Sequence, residues 1–254
     1  MIKRNTQQRR RLILERLTEQ GEVKVDELAQ FCATSEVTIR KDLASLEANG
    51  LLLRRYGGAV PIPSELIHEH GDELISTQKQ AIAKSAAGLI RDHNRIIIDS
   101  GSTTAALLPE LSDKEGLVVM TNSLSIAAAL RELENEPTLL MTGGTWDRHS
   151  EAFQGQVAEQ VLRAYDFDQL FIGADGIDVL RGSTTFNELV GLSQVMAEVA
   201  REVVVLVESN KVGRKIHNLE LAWSNISTLV TDNQLETKVA EQIRAQGVNL
   251  VIAP

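Results

Sequence analysis

Between Val23 and Gly58 the chain places a short apolar-periodic segment, a three-residue turn, a second such segment and a basic hairpin signal in succession, and few folds accommodate that order. A leading helix is predicted from Gln7 to Glu19, where Leu12, Ile13, Arg16 and Leu17 recur at helical spacing before Gly21. A second helix follows near Asp26 to Phe31, packing through Leu28 and Ala29, and Cys32-Ala33-Thr34 reverses the chain. Ser35 then stands where a cap can accept the unpaired N–H groups of a third helix. Ile39, Leu43 and Leu46 share one face of that helix and bury against the first two. Gly50 closes it, and Leu51 to Arg55 pairs with Ala59-Val60 about Tyr56-Gly57-Gly58. The sum is a winged helix-turn-helix over residues 1–60.

Opposite the apolar trio lie Thr38, Lys41 and Ser45, flanked by Ser35, Glu36 and Arg40. Hydroxyls and carboxylates can meet base edges, Arg and Lys can take guanine or phosphate, and a helix N-terminus can rest on a phosphate. Arg54, Arg55 and Tyr56 of the wing would face the DNA backbone. The same charges would suit a solvated helix face, but turn, cap, apolar trio, basic face and hairpin together favour a DNA reader.

The segment resembles the DNA-binding domain of the DeoR family of bacterial transcriptional repressors. The matching residues are Glu27-Leu28-Ala29, the run Ser35 to Leu43, Leu46, Gly50 and Arg54-Arg55-Tyr56-Gly57-Gly58-Ala59, with Tyr56 where many members carry histidine. The resemblance implies operator double-stranded DNA as partner.

Charge divides the chain in two. Residues 1–60 hold 11 Lys+Arg against 8 Asp+Glu, so with a chain net charge of −9 the remainder carries −12. An acidic body opposes non-specific adhesion to DNA or anionic membrane and leaves phosphate contacts to the basic reader. The 254 residues, 43% hydrophobic, suffice for a small domain and one sizeable core. Cys32 is the single cysteine, which excludes an internal disulfide framework. No apolar stretch reaches membrane-spanning length and Met1 to Thr6 leads into a polar helix, so a cytoplasmic protein without membrane contact is expected. Pro61, Pro63 and the polar stretch Ser64 to Asp72 mark a linker over 61–75.

Residues 76–254 alternate helical stretches with branched apolar runs. The runs are Arg95–Ile98, Leu117–Met120, Thr138–Met141, Leu170–Ile172, Val203–Val207, Thr228–Val230 and Leu250–Ile252, separated by helices predicted at 79–89, 123–133, 157–165, 189–200 and 236–245. That pattern is an α/β domain with a largely parallel sheet, in which ligands bind outside the carboxyl ends of the strands.

Small polar clusters stand at those ends. Asp99-Ser100-Gly101-Ser102-Thr103-Thr104 offers a turn glycine, hydroxyls and the N–H groups of a helix containing Ala105 to Leu108, which suits a phosphate. Neither the nucleotide P-loop nor the dinucleotide spacing is present. Thr121-Asn122-Ser123 and Thr142-Gly143-Gly144-Thr145 repeat the placement. Asp175 in Gly173-Ala174-Asp175-Gly176 and Lys211 in Glu208-Ser209-Asn210-Lys211 follow later strands and can accept from ligand hydroxyls and supply a cation.

This half resembles the effector domain of the same DeoR family, a fold shared with ribose-5-phosphate isomerase and aminosugar-phosphate deaminases. Thr121 to Leu124, Phe167 to Asp178, Thr184 to Glu188, Ala200 to Val203 and Lys211 to Lys215 are similar to the branch governing glucitol (sorbitol) operons. The resemblance implies an effector site of Asp99, Ser100, Gly101, Ser102, Thr103, Thr104, Thr121, Asn122, Gly143, Gly144, Asp175, Glu188 and Lys211. It implies a phosphorylated sugar or sugar alcohol as ligand, glucitol 6-phosphate foremost, and no cofactor. Glu208 and Asn210 depart from the family's usual Asp-Ser-Ser-Lys.

A phosphosugar isomerase or deaminase is the competing reading, with Asp99, Asp175 and Glu188 as an acid–base set. Ile177 stands where the deaminase-like pattern has histidine and cannot transfer a proton, so binding without turnover is expected. His68, His70, His93, His149 and His217 show no zinc-ligand spacing, and no metal is expected. Trp146 is placed to cover a ligand, and Trp223 to anchor a core or subunit contact. Because one winged helix contacts few base pairs, a dimer or tetramer on a repeated operator is expected.

Overall fold

The computed structural model describes residues 6–48, 52–55, 57–61, 75–148, 150–187, 190–214 and 216–254. Gly50, Leu51, Tyr56, Pro63, His68, His70, His149, Glu188 and Lys215 lie outside the described residues, as does most of the expected linker. The chain separates into two compact units, Met1–Glu73 and Leu74–Pro254.

In the first unit α1 (Thr6–Gln20), β1 (Val23–Lys24), α2 (Val25–Phe31), α3 (Glu36–Ala48), β2 (Leu53–Arg55) and β3 (Gly58–Val60) follow one another. The turn between α2 and α3 places Ala33 at φ 48. Ser35 Oγ accepts the backbone N–H of Thr38 at 3.3 Å, which caps α3. Ile39, Leu43 and Leu46 are buried with Ile13, Leu17 and Leu28, and Cys32 packs into the same core. The wing has three strands, ordered β1-β3-β2, where the sequence suggested two. Gly58 makes the third possible, since a Cβ there would lie 2.1 Å from the Val23 carbonyl oxygen.

A charged contact fixes α1 on α3. Asp42, on α3 and 2% exposed, accepts from Nε of Arg9 and, at 3.0 Å, from Nε of Arg10. Its carboxylate raises the Arg9 pKa further, chiefly through that hydrogen bond. One anion with two cations at a helix crossing holds its geometry only while both sides remain.

The second unit runs α4 (Thr77–Ala87), β4 (Arg95–Ile98), α5 (Ser102–Ala105), β5 (Val118–Thr121), α6 (Leu124–Leu130), β6 (Thr138–Met141), β7 (Thr145–Asp147), β8 (Ala152–Gln154), α7 (Gln156–Arg163), β9 (Phe167–Gly173), β10 (Gly176–Asp178), β11 (Gly182–Thr185), α8 (Gly191–Glu198), β12 (Ala200–Leu206), β13 (Asn218–Ala222), β14 (Thr228–Thr231), α9 (Thr237–Arg244) and β15 (Asn249–Ile252). Seven strands form one parallel sheet ordered β15-β14-β12-β9-β4-β5-β6.

Side chains alternate across that sheet. Ile96, Ile98, Val119, Phe171, Val204 and Val230 pack with Ile82 of α4 and Ile126 of α6 on one face. Ile97, Met120, Leu170, Ile172, Val205 and Leu229 pack with Leu162 of α7, Met196 of α8 and Ile243 of α9 on the other. Burial on both faces explains the unbroken apolar runs, each large side chain contributing about 1.5–3 kcal/mol. Two small antiparallel pieces that the sequence reading did not resolve stand outside this sheet, β10-β11-β13 and the hairpin β7-β8.

Among the described residues no helix is long and apolar enough to cross a membrane. Asp42→Ala leaves Arg9 largely buried without its anion, and a destabilisation of the first unit by about 3 kcal/mol is expected. Hydrogen exchange at the α3 amides reads it directly, with faster exchange there and unchanged protection in β4 and β9.

Candidate functional site

Strand order decides where the second unit can hold a ligand. From β4 the chain proceeds outward through β5 and β6, then returns to β9 on the opposite side of β4 and proceeds through β12, β14 and β15. The β4/β9 boundary is therefore the point where consecutive connections diverge, and it opens a crevice at the carboxyl edge. Asp99 follows β4 and Asp175 follows β9, with the Asp99 N–H bonded to the Phe171 carbonyl at 3.0 Å.

Asp99 is held by its neighbour from β5. Asn122 Nδ2 donates to Asp99 Oδ1 at 2.7 Å, and the Ser100 N–H donates to Asn122 Oδ1 at 3.0 Å. Asn122 is fixed in turn by the β7-β8 hairpin, whose Phe153 N–H donates to the Asn122 carbonyl at 2.8 Å. Burial lifts the Asp99 pKa to about 6, offset by the Asn122 hydrogen bond and reinforced by the charge of Asp175. Across the boundary Asp175 Oδ2 accepts from Thr185 Oγ1 at 2.8 Å and from the Phe186 N–H at 3.1 Å. Lys211 Nζ donates to the carbonyl of Ala174, the residue before Asp175, at 3.4 Å.

The loop after β4 divides its labour. Gly101, at φ 146, adopts a conformation that side chains rarely take, and Gly101 and Ser102 are exposed. Thr103 and Thr104 are buried, and Thr104 Oγ1 lies 2.7 and 2.8 Å from the carbonyl oxygens of Asp99 and Gly101. Its hydroxyl shapes the loop. The expected helix through Leu108 is only the single turn α5, because Pro109 has no N–H to continue it and the chain passes into a 3-10 turn over Leu108–Leu111. So short a helix has little macrodipole, and an anion here would meet loop amides and hydroxyls.

Other expected residues fall around this edge. Thr121 is buried and its Oγ1 accepts the Ser123 N–H at 3.1 Å. Gly143 and Gly144 lead from β6 into β7, and Trp146 stacks edge-on against Phe153 with ring centroids 5.3 Å apart while staying 41% exposed. Trp223 is a core anchor, its Nε1 donating to the Val179 carbonyl at 3.0 Å. Among the described residues no cluster of three His, Cys, Asp or Glu could hold a metal.

One acid of this unit, Glu220, escaped the sequence reading. Glu220 on β13 accepts from Ser193 Oγ at 2.8 Å and Ser183 Oγ at 3.4 Å. Burial, then the charges of Asp99 and Asp175, push its pKa up to about 8. Glu208 accepts from Ser76 Oγ at 3.1 Å, joining the first residues of α4's cap to the turn that carries Lys211. A cleft of about 530 Å³ beside α7, α8 and β13 also touches Glu220, but its Arg163 already pairs with Glu159 and Glu198 at 3.4 and 3.6 Å.

In the first unit the expected DNA-facing groups are partly engaged. Arg40 pairs with Glu36 at 2.8 Å and Arg54 with Glu47 at 2.6 Å, whereas Lys41 and Arg55 are exposed. Ser35 Oγ and Thr38 Oγ1 lie 2.9 Å apart, and Ser45 is half-buried.

The raised pKa of Glu220 sets a direction for stability. A carboxyl whose folded pKa exceeds its unfolded value near 4.5 leaves stability intact below that value, and stability falls as pH rises towards about 8. Glu220→Gln removes this fall. Urea titrations are expected to find the variant and the parent alike at pH 4.5 and the variant more stable at pH 8 by at least about 1.4 kcal/mol, the equivalent of one pKa unit.

Residues 9–65 match the family model described as the DeoR-like helix-turn-helix domain, and residues 75–233 match the DeoR C terminal sensor domain. A protein of Escherichia coli O157:H7 named for transcriptional repression of the aga operon is 38% identical over 97% of this chain and 94% of its own length. The lactose phosphotransferase system repressor of Lactococcus lactis is 32% identical over 94% and 95%. Ribose 5-phosphate isomerase A of Methanocaldococcus jannaschii aligns over 53% of each chain at 22% identity and a TM-score of 0.38. Both repressors match across nearly the whole chain and both family models fall on the two units, so this chain belongs to the DeoR family of helix-turn-helix transcriptional regulators.

Proposed function

We propose that the chain represses an operon for sugar or sugar-alcohol catabolism and leaves its operator when a phosphorylated sugar or sugar alcohol, glucitol 6-phosphate foremost, occupies the β4/β9 crevice. One observation carries the reading: the exposed Gly101-Ser102 loop, the Asp99–Asn122 pair, Asp175 and Lys211 converge where the strand order reverses. The ligand's two ends are sorted by charge. A phosphate is repelled by Asp99 and Asp175, so it sits over the amides of 101–104 with Ser102, Thr103 and Lys211 as partners. The polyol hydroxyls then donate to Asp99 and Asp175 and meet Asn122. Ser100, Thr104 and Thr121 shape the loops behind them, Gly143 and Gly144 border the site, and Glu188, outside the described residues, is retained from the family resemblance alone.

On DNA, α3 enters the major groove with Thr38 and Ser45 toward base edges, while Lys41 and Arg55 meet phosphate. Arg40, Glu36 and Ser35 serve at the flanks of α3, Arg54 joins Arg55 at the DNA backbone, and Tyr56, outside the described residues, is retained with them from the family resemblance. Two copies on a repeated operator multiply the specificity of one. Occupancy acts on the DNA reader by changing the arrangement of domains or subunits, and within the second unit the Ser76–Glu208 hydrogen bond joins the cap of α4 to the turn of Lys211. A coupling of about 1–3 kcal/mol gives about 5- to 150-fold release.

Fluorescence anisotropy on labelled operator, with phosphorylated polyols and their unphosphorylated parents titrated in, tests this. Glucitol 6-phosphate is expected to lower operator affinity at least about fivefold and glucitol to leave it unchanged. Ser102→Ala combined with Thr103→Val should bind operator normally and lose the response. Release by unphosphorylated polyol at the same concentration would refute the phosphate assignment. Lys41→Ala should weaken every duplex and reduce the salt slope by about one unit, as removal of one phosphate contact does.

A further inference from the structure

Helix α3 advances about 100° per residue, so its buried face fixes what lies opposite. Ile39, Leu43 and Leu46 are 0%, 1% and 3% exposed, and Asp42 is buried beside them. The direction opposite that face is occupied by Val37 and Lys41, four residues apart, with Thr38 and Ser45 on one side and Glu36 and Arg40 on the other. Val37 is 60% exposed in the first turn of the helix. Its polar neighbours are engaged, Glu36 with Arg40 at 2.8 Å and Thr38 with Ser35 at 2.9 Å.

An exposed branched aliphatic at the centre of a basic helix face has one complementary feature in the major groove. Base edges there offer hydrogen-bond donors and acceptors and a single kind of apolar group, the C5-methyl of thymine. We propose that Val37 reads a thymine methyl in the operator half-site, beside the base or phosphate met by Lys41. The charge of this unit selects DNA over an apolar protein partner: Lys41, one turn along the same face, is exposed, and residues 1–60 carry 11 Lys+Arg against 8 Asp+Glu. The assignment rests on α3 entering the major groove, as in the reading above.

The full chain would first be used to enrich a duplex from a random library; if none is enriched, the DNA reading itself fails. Each thymine of the enriched duplex is then replaced singly by deoxyuridine, which deletes the methyl and keeps every hydrogen-bonding group. One position per half-site is expected to lose about fourfold in affinity, the effect of one buried methyl-sized group. In Val37→Ala that thymine and deoxyuridine should bind equally, whereas Val37→Ile and Lys41→Ala should keep the discrimination. Val37 is exposed, so these variants leave the core intact. The assignment is overturned if no thymine position distinguishes methyl from hydrogen in the parent chain, or if the loss persists unchanged in Val37→Ala.

Discussion

The parallel pairing of β4 with β9 governs the second unit. Ile96, Ile97 and Ile98 register against Gln169, Leu170 and Phe171, and the two strands are buried on both faces. Because the chain leaves β4 towards β5 and leaves β9 towards β12, the connections from their carboxyl ends diverge and the edge opens between them. Everything placed for ligand contact depends on this register. A shift of one residue would turn Asp99 towards the opposite face and separate it from Asn122 and from the Phe171 carbonyl.

That open edge concentrates acids at a cost. Burial, reinforced by the charge of Asp175, raises Asp99 to about 6, and burial with the charges of Asp99 and Asp175 raises Glu220 to about 8. Such an arrangement opposes folding and favours a polar ligand able to satisfy the carboxylates, which is the expected signature of a binding site carried by a stable scaffold. The first unit uses charge differently. Asp42 holds Arg9 and Arg10 against α3, so these arginines position the reading helix from behind.

Much of this architecture was legible in the residues. The inner strands of the parallel sheet stood out because burial on both faces leaves mostly apolar side chains, the edge strands β6 and β15 through their short apolar runs, and α3 through Ile39, Leu43 and Leu46. The small sheet did not. Gly182-Ser183-Thr184-Thr185 looks like a polar loop, yet all four residues are buried in β11, since the Ser183 and Thr185 hydroxyls and the strand backbone find partners only in the folded chain. Asp42 and Glu220 were missed for the same reason: a single acid in a sequence reads as solvated until its partners are brought to it. Arg40 and Arg54 each pair with an acid in the folded chain, Glu36 and Glu47. The loop 99–104 was found as a cluster, but which of its hydroxyls face outward depends on geometry, with Ser102 exposed and Thr104 folded back on the carbonyls of Asp99 and Gly101.

The central claim is that one ligand at the β4/β9 crevice and one operator compete through the same equilibrium. Linkage makes that claim reciprocal, since whatever factor the effector removes from operator affinity, the operator must remove from effector affinity. Calorimetric titration of glucitol 6-phosphate into the free protein and into its operator complex measures both sides at once. The account expects tighter binding to the free protein, by the same factor as the loss of operator affinity in the presence of the ligand; equal affinity in the two states would contradict it.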